Sequence, residues 1–309
     1  MQRHYSNFEI KRFNLSSHTF DLFPYSCGDV HQLFQQPENS RRMSYDCSVG
    51  KQTPFFVKSI CGRRKYMEDR YSIIDNIVPG THFVGVYDGH GGPDVAEGCV
   101  ELIGASVKLC ILQQKMKNSE ALVTALLNAD ERDLTNWGAN LHIMGTTATI
   151  ALIGPHHITV ANVGDSAAYM LRNVDSRIIP LSRQHTPALL DERKRILLAG
   201  GTIRAHSPTD KTERVQGILS VTRAIGDHAL RPYVSSQPEV IIVRHHPGDI
   251  CIVATDGLWD VMTPKEALQI TIDMLKISGN TPSEITSFIT QMAVERKTKD
   301  NITVIIALL

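Results

Sequence analysis

Apolar and polar positions alternate in short blocks from about residue 53 to the end of the chain. Nine runs, most of them rich in Val and Ile, have the length of β-strands: FFVKSI, YSIIDNI, THFVGVY, TTATIALI, HHITVANVG, AAYMLR, EVIIVRH, DICIVAT and ITVIIALL. The short Gly-Pro-His-His connection at 154–157 joins two of these runs and favours an antiparallel hairpin. The pattern therefore predicts many strands, with antiparallel pairing between them.

Helical spacing appears between and after these runs. Pro93 suits a first helical position, and the apolar residues that follow it return to one face as far as Cys110. Thr263 and Thr281 are each followed by Pro and, three residues on, by Glu, which is a helix-opening signal. The helices that begin at these two threonines are predicted to span 263–276 and 281–297. Two further helices are predicted at 119–136 and 187–199. Helices beside many antiparallel strands predict helical layers on the outer faces of two sheets.

The first 52 residues differ from the rest of the chain. They are polar and show no sustained period, so we expect a poorly ordered N-terminal extension at 1–52. From Thr53 onwards there is no long linker and no repeat, which predicts one domain at 53–309.

Composition and charge narrow the classes of partner. Hydrophobic residues make up 42% of the chain, enough for a core, and 32 Lys and Arg balance 32 Asp and Glu. This balance gives no support for nucleic acid or an anionic membrane as a partner, and the apolar runs are far too short to span a bilayer.

The six cysteines also exclude some chemistries. No Cys-x-x-Cys pair occurs, so neither a zinc site nor a redox pair is indicated. No Cys is followed six residues later by Arg, which excludes the thiol-phosphatase loop. Most cysteines have apolar neighbours and are interpreted as reduced core residues of an intracellular protein.

The N-terminal residues bear on location. Residues 1–25 lack the continuous apolar core of a secretory signal. Arg3, Lys11 and Arg12 against the single acid Glu9 resemble a weak transit peptide, so a mitochondrial location stays open beside the expected cytoplasmic or nuclear one.

Five carboxylates border separate apolar runs or lie in a polar turn, and this arrangement predicts a metal site. Asp88, Asp165 and Asp256 follow such runs, Asp300 precedes the last run, and Glu68 lies in the segment RRKYMED. Strand ends that meet at one sheet edge bring these charges close together, which is unfavourable unless protons or cations compensate. Sets of oxygen ligands suit hard divalent cations such as Mg²⁺ or Mn²⁺.

The residues beside the two Asp-Gly pairs, at 88–89 and 256–257, strengthen this interpretation. Alone, each pair is an ordinary turn dipeptide. His90 adds a titratable imidazole two residues after the first Asp, and Asp260 adds a carboxylate four residues after the second.

Arg64 lies four residues before Glu68 and has two interpretations. Its planar fork suits an oxyanion, whereas in a helix the same spacing indicates a surface ion pair. Asp69 either supports the metal site or belongs to a solvated face.

With these residues identified, the chain resembles the metal-dependent serine/threonine protein phosphatases of type 2C, the PPM family. The matching segments follow the family's order over about 58–309: RKYMED at 64–69, DGHGG at 88–92, GTTA at 145–148, NVGDS at 162–166, RVQGILSVTRAIGD at 214–227, DGLWD at 256–260 and DN at 300–301. One Asp-Gly pair arises easily by chance, but the ordered set is specific.

The resemblance implies an α+β fold, a four-layer αββα sandwich of two antiparallel β-sheets flanked by helices, with a dinuclear metal cleft at one end. It also implies a variable flap at about 183–213 that influences substrate choice. In this flap Gln184 stands where the family commonly has Asp before His185, so this loop is expected to be a structural turn. Asp227 is interpreted as tying down a loop.

The resemblance further implies a set of ligands for two metals, Mg²⁺ or Mn²⁺. Asp88 would bridge both ions, and Asp256 and Asp300 would complete the ligands of the first. Glu68 and the carbonyl of Gly89 would serve the second.

Further roles follow from the same resemblance. Asp165 and Asp260 match positions that hold a third, weaker metal in some members. Arg64 would grip the substrate phosphate, Asp69 would order metal-bound water, and His90 would be the general acid for the leaving group.

These roles imply hydrolysis of phosphoserine and phosphothreonine in proteins by a metal-activated water, with no phosphoenzyme. The expected partners are phosphoprotein substrates, without nucleic acid or membrane, and the expected state is a monomer. Two alternatives stay open: a catalytically weak or dead phosphatase-like scaffold protein, and a hydrolase of small-molecule phosphate esters.

Overall fold

Two antiparallel sheets form the centre of the fold. The computed structural model describes residues 11–13, 55–132, 138–207, 209–277 and 281–309. The strands of the first sheet are β1 (Lys11–Phe13), β3 (Asp69–Val78), β4 (Thr81–His90), β5 (Gly145–Thr146), β6 (Ala148–Ile153), β7 (His157–Val163), β12 (Ile225–Gly226) and β13 (Glu239–Arg244). Those of the second are β2 (Phe55–Ile60), β8 (Ala167–Arg172), β9 (Arg177–Pro180), β14 (Ile250–Ala254) and β15 (Ile302–Leu308).

The order of strands in each sheet decides which strand ends meet. In the first sheet β1, β13, β7, β6, β4 and β3 lie side by side, and β5 and β12 continue from the end of β4. In the second sheet the order is β2, β15, β14, β8, β9. Since β4 and β7 both pair antiparallel with β6, they run in the same direction and end at the same edge.

The central strands are buried on both faces, which explains their continuous apolar sequences. Along β14, Cys251 and Val253 face the core between the sheets. Its alternate residues, Ile250, Ile252 and Ala254, pack on the outer side. The period-two alternation of a strand thus supplies two apolar layers from one run.

Helices cover the outer faces of both sheets. They are α1 (Asp94–Leu112) and α2 (Asn118–Glu131) on the first sheet, and α5 (Pro264–Lys276) and α6 (Pro282–Glu295) on the second. Both Thr263 and Thr281 accept a hydrogen bond from the backbone N–H three residues on, as the helix-opening signal predicts. The predicted fold class, two antiparallel sheets flanked by helices, is confirmed.

Smaller elements complete the described chain. They are α3 (Leu190–Leu198), the two-stranded sheet of β10 (Ile203–Ala205) and β11 (Glu213–Val215), the short helix α4 (Asp256–Trp259) and a 3₁₀ turn (His228–Leu230). Around α3 and β11 a separate apolar cluster includes Ile196, Val215, Val221 and Val234.

The nine predicted strands are present, with differences at some ends. The helix predicted at 187–199 begins at Leu190, because Leu189 is still extended. The helix predicted at 119–136 ends at Glu131, and 133–137 lie outside the described residues. Of the predicted extension at 1–52, only Lys11–Phe13 is described, where it pairs as β1 with β13.

Within the described ranges, no helix is long and apolar enough to cross a membrane.

Candidate metal centre and active site

Three of the predicted carboxylates converge at one end of the sandwich. Asp88 lies near the end of β4, Asp165 lies two residues after β7, and Asp256 is the first residue of α4, two residues after β14. Their carboxylate oxygens include a set that lies within 4.8 Å of one another. Asp165, which the resemblance assigns to a third metal, is therefore as much a part of this cluster as the other two.

The electrostatics of this cluster favour a cation. Burial, followed by the charge of Asp256, raises the pKa of Asp88 well above its usual range. Burial, followed by the charges of Asp165 and Asp300, does the same to the pKa of Asp256. Burial is also the largest influence on the pKa of Asp165, which rises to about 6. Three neighbouring carboxylates with raised pKa values cannot all ionise cheaply unless positive charge joins them.

One atom of the cluster lacks a partner. Oδ1 of Asp256 is buried and accepts no hydrogen bond within the described part of the chain. A buried carboxylate oxygen without a donor is unfavourable, and coordination to a divalent cation would satisfy it. The residues present thus fit the metal that the resemblance implies.

Asp300 and Arg64 lie beside this cluster and contact each other. Nη2 of Arg64 is 2.5 Å from Oδ2 of Asp300, and Nε of Arg64 donates to the carbonyl of Lys299 at 3.1 Å. Burial alone would lower the pKa of Arg64, but the hydrogen bond and charge of Asp300 outweigh burial, so the pKa is raised. The Arg64 side chain stays about half exposed, with 49% of its surface open to solvent. Arg64 therefore contacts a carboxylate beside the cluster and is also open to solvent, and it does not lie in a helix with Glu68.

Glu68 and Gly89 are held close through their backbones. The Glu68 N–H donates to Oδ1 of Asn301 at 2.8 Å, which fixes the segment before β3 against the segment before β15. A Cβ at position 89 would stand 2.8 Å from the Glu68 carbonyl oxygen, so only glycine permits this approach. The half-buried Glu68 carboxylate is not one of the three clustered carboxylates.

Asp69 is buried directly opposite Asp88 in the pairing of β3 with β4. Its Oδ2 accepts hydrogen bonds from Thr255 Oγ1 at 2.9 Å and Thr303 Oγ1 at 2.7 Å. Burial raises the pKa of Asp69 to about 7, although both hydroxyls act against the rise. Since Thr255 directly precedes Asp256, this contact positions the start of α4, and the solvated-face interpretation of Asp69 is wrong.

Asp260 lies one turn after Asp256, at the end of α4, and is exposed. It does not belong to the three-carboxylate cluster. Its charge is nevertheless among those that raise the pKa of Asp165 and of Asp256.

His90 ends β4 and has a carboxylate partner. Its Nε2 is 2.6 Å from Oδ2 of Asp227, a buried residue just before the 3₁₀ turn. The sequence interpretation gave Asp227 only a loop-tying role and missed this contact. A half-buried imidazole needs a hydrogen-bond partner, and this need was the only signal in the sequence. Spacing along the chain does not identify which Asp is that partner.

Gln184 contacts the Asp165 loop directly. Its side-chain amide donates to the backbone carbonyl of Asp165 at 2.8 Å. An ionised Asp at this position has no proton to donate, so the departure from the family pattern changes how this loop is held. The adjacent His185 is fully buried and contacts Glu239 and Asn162, as a structural residue would.

Comparison with known proteins gives consistent matches. The family profile described as Protein phosphatase 2C matches residues 54–302. "Probable protein phosphatase 2C 24" of Arabidopsis thaliana is 33% identical over 306 residues, covering 87% of this chain and 83% of that protein. "Protein phosphatase 2C 3" of the same plant is 36% identical over 234 residues, covering 68% of this chain and 52% of its own length.

Solved structures show the same likeness. The "Structure of a C.elegans sex determining protein" superposes with a TM-score of 0.69 at 26% identity, covering 82% of this chain and 64% of that one. The "Crystal structure of serine-threonine phosphatase 2C from Toxoplasma gondii" gives 0.70 at 24% identity, covering 83% and 95%. At that identity, the second match supports the fold alone.

Proposed function

The chain belongs to the protein phosphatase 2C family, whose members are metal-dependent serine/threonine protein phosphatases, and we propose that it hydrolyses phosphoserine and phosphothreonine in proteins with Mg²⁺ or Mn²⁺. The observation that carries this proposal is the unpartnered buried oxygen of Asp256 within a cluster of three carboxylates. Arg64, half exposed at the same place, supplies the positive charge that a phosphate needs.

The proposed ligands follow the family pattern. Asp88, Asp256 and Asp300 would hold a first cation, and Asp88 with Glu68 and the Gly89 carbonyl would hold a second. Bound divalent cations at such a site activate water and neutralise charge on phosphoryl oxygens. Asp165 and Asp260 would add a third, weaker site, which is consistent with the exposure of Asp260.

Side chains of the protein would bind the phosphate, orient the attacking water and protonate the leaving group. The guanidinium fork of Arg64 would bind two phosphate oxygens, and Asp69 would hold the attacking water in line. His90 would donate a proton to the serine or threonine oxygen as its bond to phosphorus breaks. No nucleophilic side chain is required, so no phosphoenzyme forms.

We also propose that 53–309 is the phosphatase domain and that about 183–213 forms its flap. Support for the flap comes from α3, β10 and β11, which pack with the chain at 219–234 in an apolar cluster separate from those of the two sheets. A surface element that packs separately can vary without disturbing the carboxylates, which suits a role in choosing phosphoprotein substrates.

The first prediction tests the proposed reaction. We expect the protein to release phosphate from a phosphothreonine peptide with Mn²⁺ and to stop when excess chelator is added. Asp88→Asn should lower kcat/KM at least about 100-fold, because even residues that only support metal ligands contribute about 10- to 100-fold.

The matched control is Asp273→Asn, which removes one exposed carboxylate on α5 and should leave the rate unchanged. Activity that survives chelation, or that survives Asp88→Asn, would contradict the metal-dependent reaction. Absence of peptide hydrolysis, with Mn²⁺ bound and the protein folded, would favour the scaffold alternative. Turnover of small phosphate esters alone would favour the small-molecule alternative.

A further inference from the structure

The His90–Asp227 contact is built across a third strand. Residues His90 of β4 and Gly226 of β12 both pair with Gly145 of β5, on its opposite sides. The side chain of Asp227 reaches over this glycine to Nε2 of His90. A Cβ on Gly145 would lie 2.6 Å from that nitrogen and would also overlap Oδ2 of Asp227. The glycine therefore makes the contact possible.

The loop that carries Asp227 is anchored independently of His90. Asp130 of α2 is buried and accepts hydrogen bonds from the Gly226 N–H at 2.7 Å and from Arg231 Nη2 at 2.7 Å. Asp227 donates its own N–H to the Met144 carbonyl at 3.0 Å. With these contacts on both sides, the Asp227 carboxylate is already in place to receive the imidazole.

The backbone at Asp227 reinforces this conclusion. Its φ of 52° lies in the left-handed region, which most residues avoid and Asp and Asn tolerate best. Oδ2 of Asp227 hydrogen-bonds to His90 and to no other group in the described part of the chain.

The imidazole contacts this carboxylate through one nitrogen and also lies close enough to the metal cluster to act on it electrostatically. Nε2 is turned to Asp227, while 27% of the His90 side-chain surface is exposed to solvent. The charge of His90 acts against the rise that burial causes in the pKa of Asp165, which places the ring within electrostatic reach of the cluster. Nδ1 has no hydrogen-bond partner among the described residues, so it is the nitrogen left for a substrate.

We propose that Asp227 is a positioning residue: it holds the Nε2 proton of His90 and so presents Nδ1 to the oxygen of the departing serine or threonine. This inference rests on the proposed phosphatase reaction. As the attacking oxygen bonds to phosphorus, the bond from phosphorus to the side-chain oxygen breaks and its electron pair stays on that oxygen. The Nδ1 proton passes to it, giving the alcohol and inorganic phosphate. Asp227 keeps the Nε2 proton throughout, and solvent returns a proton to Nδ1.

The second prediction tests this role with two leaving groups. Asp227→Asn should lower kcat for a phosphothreonine peptide about 10- to 100-fold, with KM changed less than about threefold, because an amide does not stabilise the charged ring. The same variant should lower kcat for p-nitrophenyl phosphate less than about threefold, since that leaving group needs no proton. His90→Ala should show the same contrast, and the double variant should lose no more than either single one.

The choice of variants separates the loss of the carboxylate from a loss of folding. Asn suits the left-handed backbone, and Asp227→Gly suits it even better while it removes the carboxylate. Both variants should therefore give the wild-type unfolding midpoint to within a few degrees, and both should show the same leaving-group contrast. His157→Ala, which removes an exposed imidazole at the start of β7, is the matched control and should keep the wild-type ratio of peptide to aryl phosphate rates.

The outcomes separate this inference from the proposed function. If the wild type hydrolyses both substrates and the Asp227 variants lose both equally, Asp227 is structural and the inference is overturned. Additive losses in the double variant overturn it too. If the wild type hydrolyses neither substrate, the proposed function fails and the inference fails with it.

Discussion

At the scale of single residues, the candidate site depends on a close approach at Gly257. This residue follows Asp256 at the start of α4, and a Cβ there would overlap the backbone carbonyl oxygen of Asn301. Asn301 follows Asp300 and also receives the Glu68 N–H on its side chain. One glycine therefore sets the separation between the segments that carry Asp256 and Asp300, and Asn301 ties the Glu68 segment to them.

The third prediction concerns this contact. Gly257→Ala should destabilise the fold by about 1–3 kcal/mol, as overpacking does, and should also weaken Mn²⁺ binding. Phosphatase activity should fall about 100-fold, since a displacement of about 1 Å has that effect on a preorganised site. Urea unfolding, calorimetric Mn²⁺ titration and peptide hydrolysis measure the three effects.

Gly154→Ala is the matched control. Its added methyl would meet nothing closer than the His157 carbonyl at 3.5 Å, an ordinary contact, so stability and activity should stay near wild type. If Gly257→Ala matched this control in all three measurements, the close approach would not determine the geometry of the site.

At this scale the sequence predicted residues that border apolar runs. Asp88, Asp165 and Asp256 each follow a run, and the direction of the strands brings them together. Asp227 was missed because its link to His90 spans 137 positions and passes over Gly145. Such a contact depends on three-strand pairing, which no spacing along the chain records.

At the scale of elements, Glu192 anchors the proposed flap. This residue of α3 is buried, and its carboxylate accepts hydrogen bonds from Arg195, Thr222 and Arg223. Burial alone would raise the pKa of Glu192, but the hydrogen bonds and charges of Arg223 and then Arg195 outweigh it and lower the pKa to about 2. The helix is thus tied to the chain at 222–223 by a buried, ionised carboxylate.

The fourth prediction is that Glu192→Gln destabilises the fold by about 3 kcal/mol at neutral pH, because it leaves two partly buried arginines without their counter-charge. The folded pKa, about 2, lies below the ordinary value of 4.5, so the stabilisation is complete above about pH 4.5. It is lost as the pH falls towards 2. The difference between wild type and variant in urea unfolding should therefore shrink over that interval.

Glu213→Gln is the control in the same flap. Glu213 pairs with Arg193 at the surface and is 44% exposed, so its loss should change stability by less than about 1 kcal/mol. A difference between wild type and Glu192→Gln that stayed constant from pH 4.5 to 2 would show that the Glu192 carboxylate does not act through its charge.

The elements themselves were predictable where the apolar pattern was long. The central runs, such as DICIVAT and ITVIIALL, formed strands close to the predicted bounds. The pattern did not predict β9, β10, β11 and β12, which have two to four residues each and little apolar periodicity. Their pairing depends on neighbours that are distant in sequence, and a short strand has no signal of its own.

At the scale of the whole molecule, the two-sheet sandwich brings together several negative carboxylates without enough positive charge to balance them. Separate chain segments deliver Asp69, Asp88, Asp165, Asp256 and Asp300 to one end. Burial raises the pKa values of the first four, and the charge of Asp300 adds to the rise in each of them. Folding without a cation must overcome this repulsion. The apolar layers on both faces of the sheets supply the stability that permits it.

The fifth prediction concerns stability against pH with and without metal. Burial first, and neighbouring carboxylates after it, raise the pKa from 3.8 to about 6 for Asp165 and about 7 for Asp69. A carboxyl group whose pKa is raised in the folded state favours folding below its ordinary value, and this contribution is lost as the pH rises through the folded value. In chelator, the free energy of unfolding should therefore contain a component that falls between about pH 4 and pH 7. Glu192 titrates below that interval and does not obscure it.

Mn²⁺ should reverse this fall, because it binds the ionised carboxylates and competes with protons for them. At 100 times its Kd it should add about 2.7 kcal/mol at neutral pH, and the addition should shrink as the solution is acidified. Urea unfolding at several pH values, with Mn²⁺ or chelator, measures both components. Asp88→Asn should remove the Mn²⁺ effect, whereas Asp273→Asn should keep it. Parallel pH profiles with and without Mn²⁺ would contradict the site, because a cation held by these carboxylates must displace their protons.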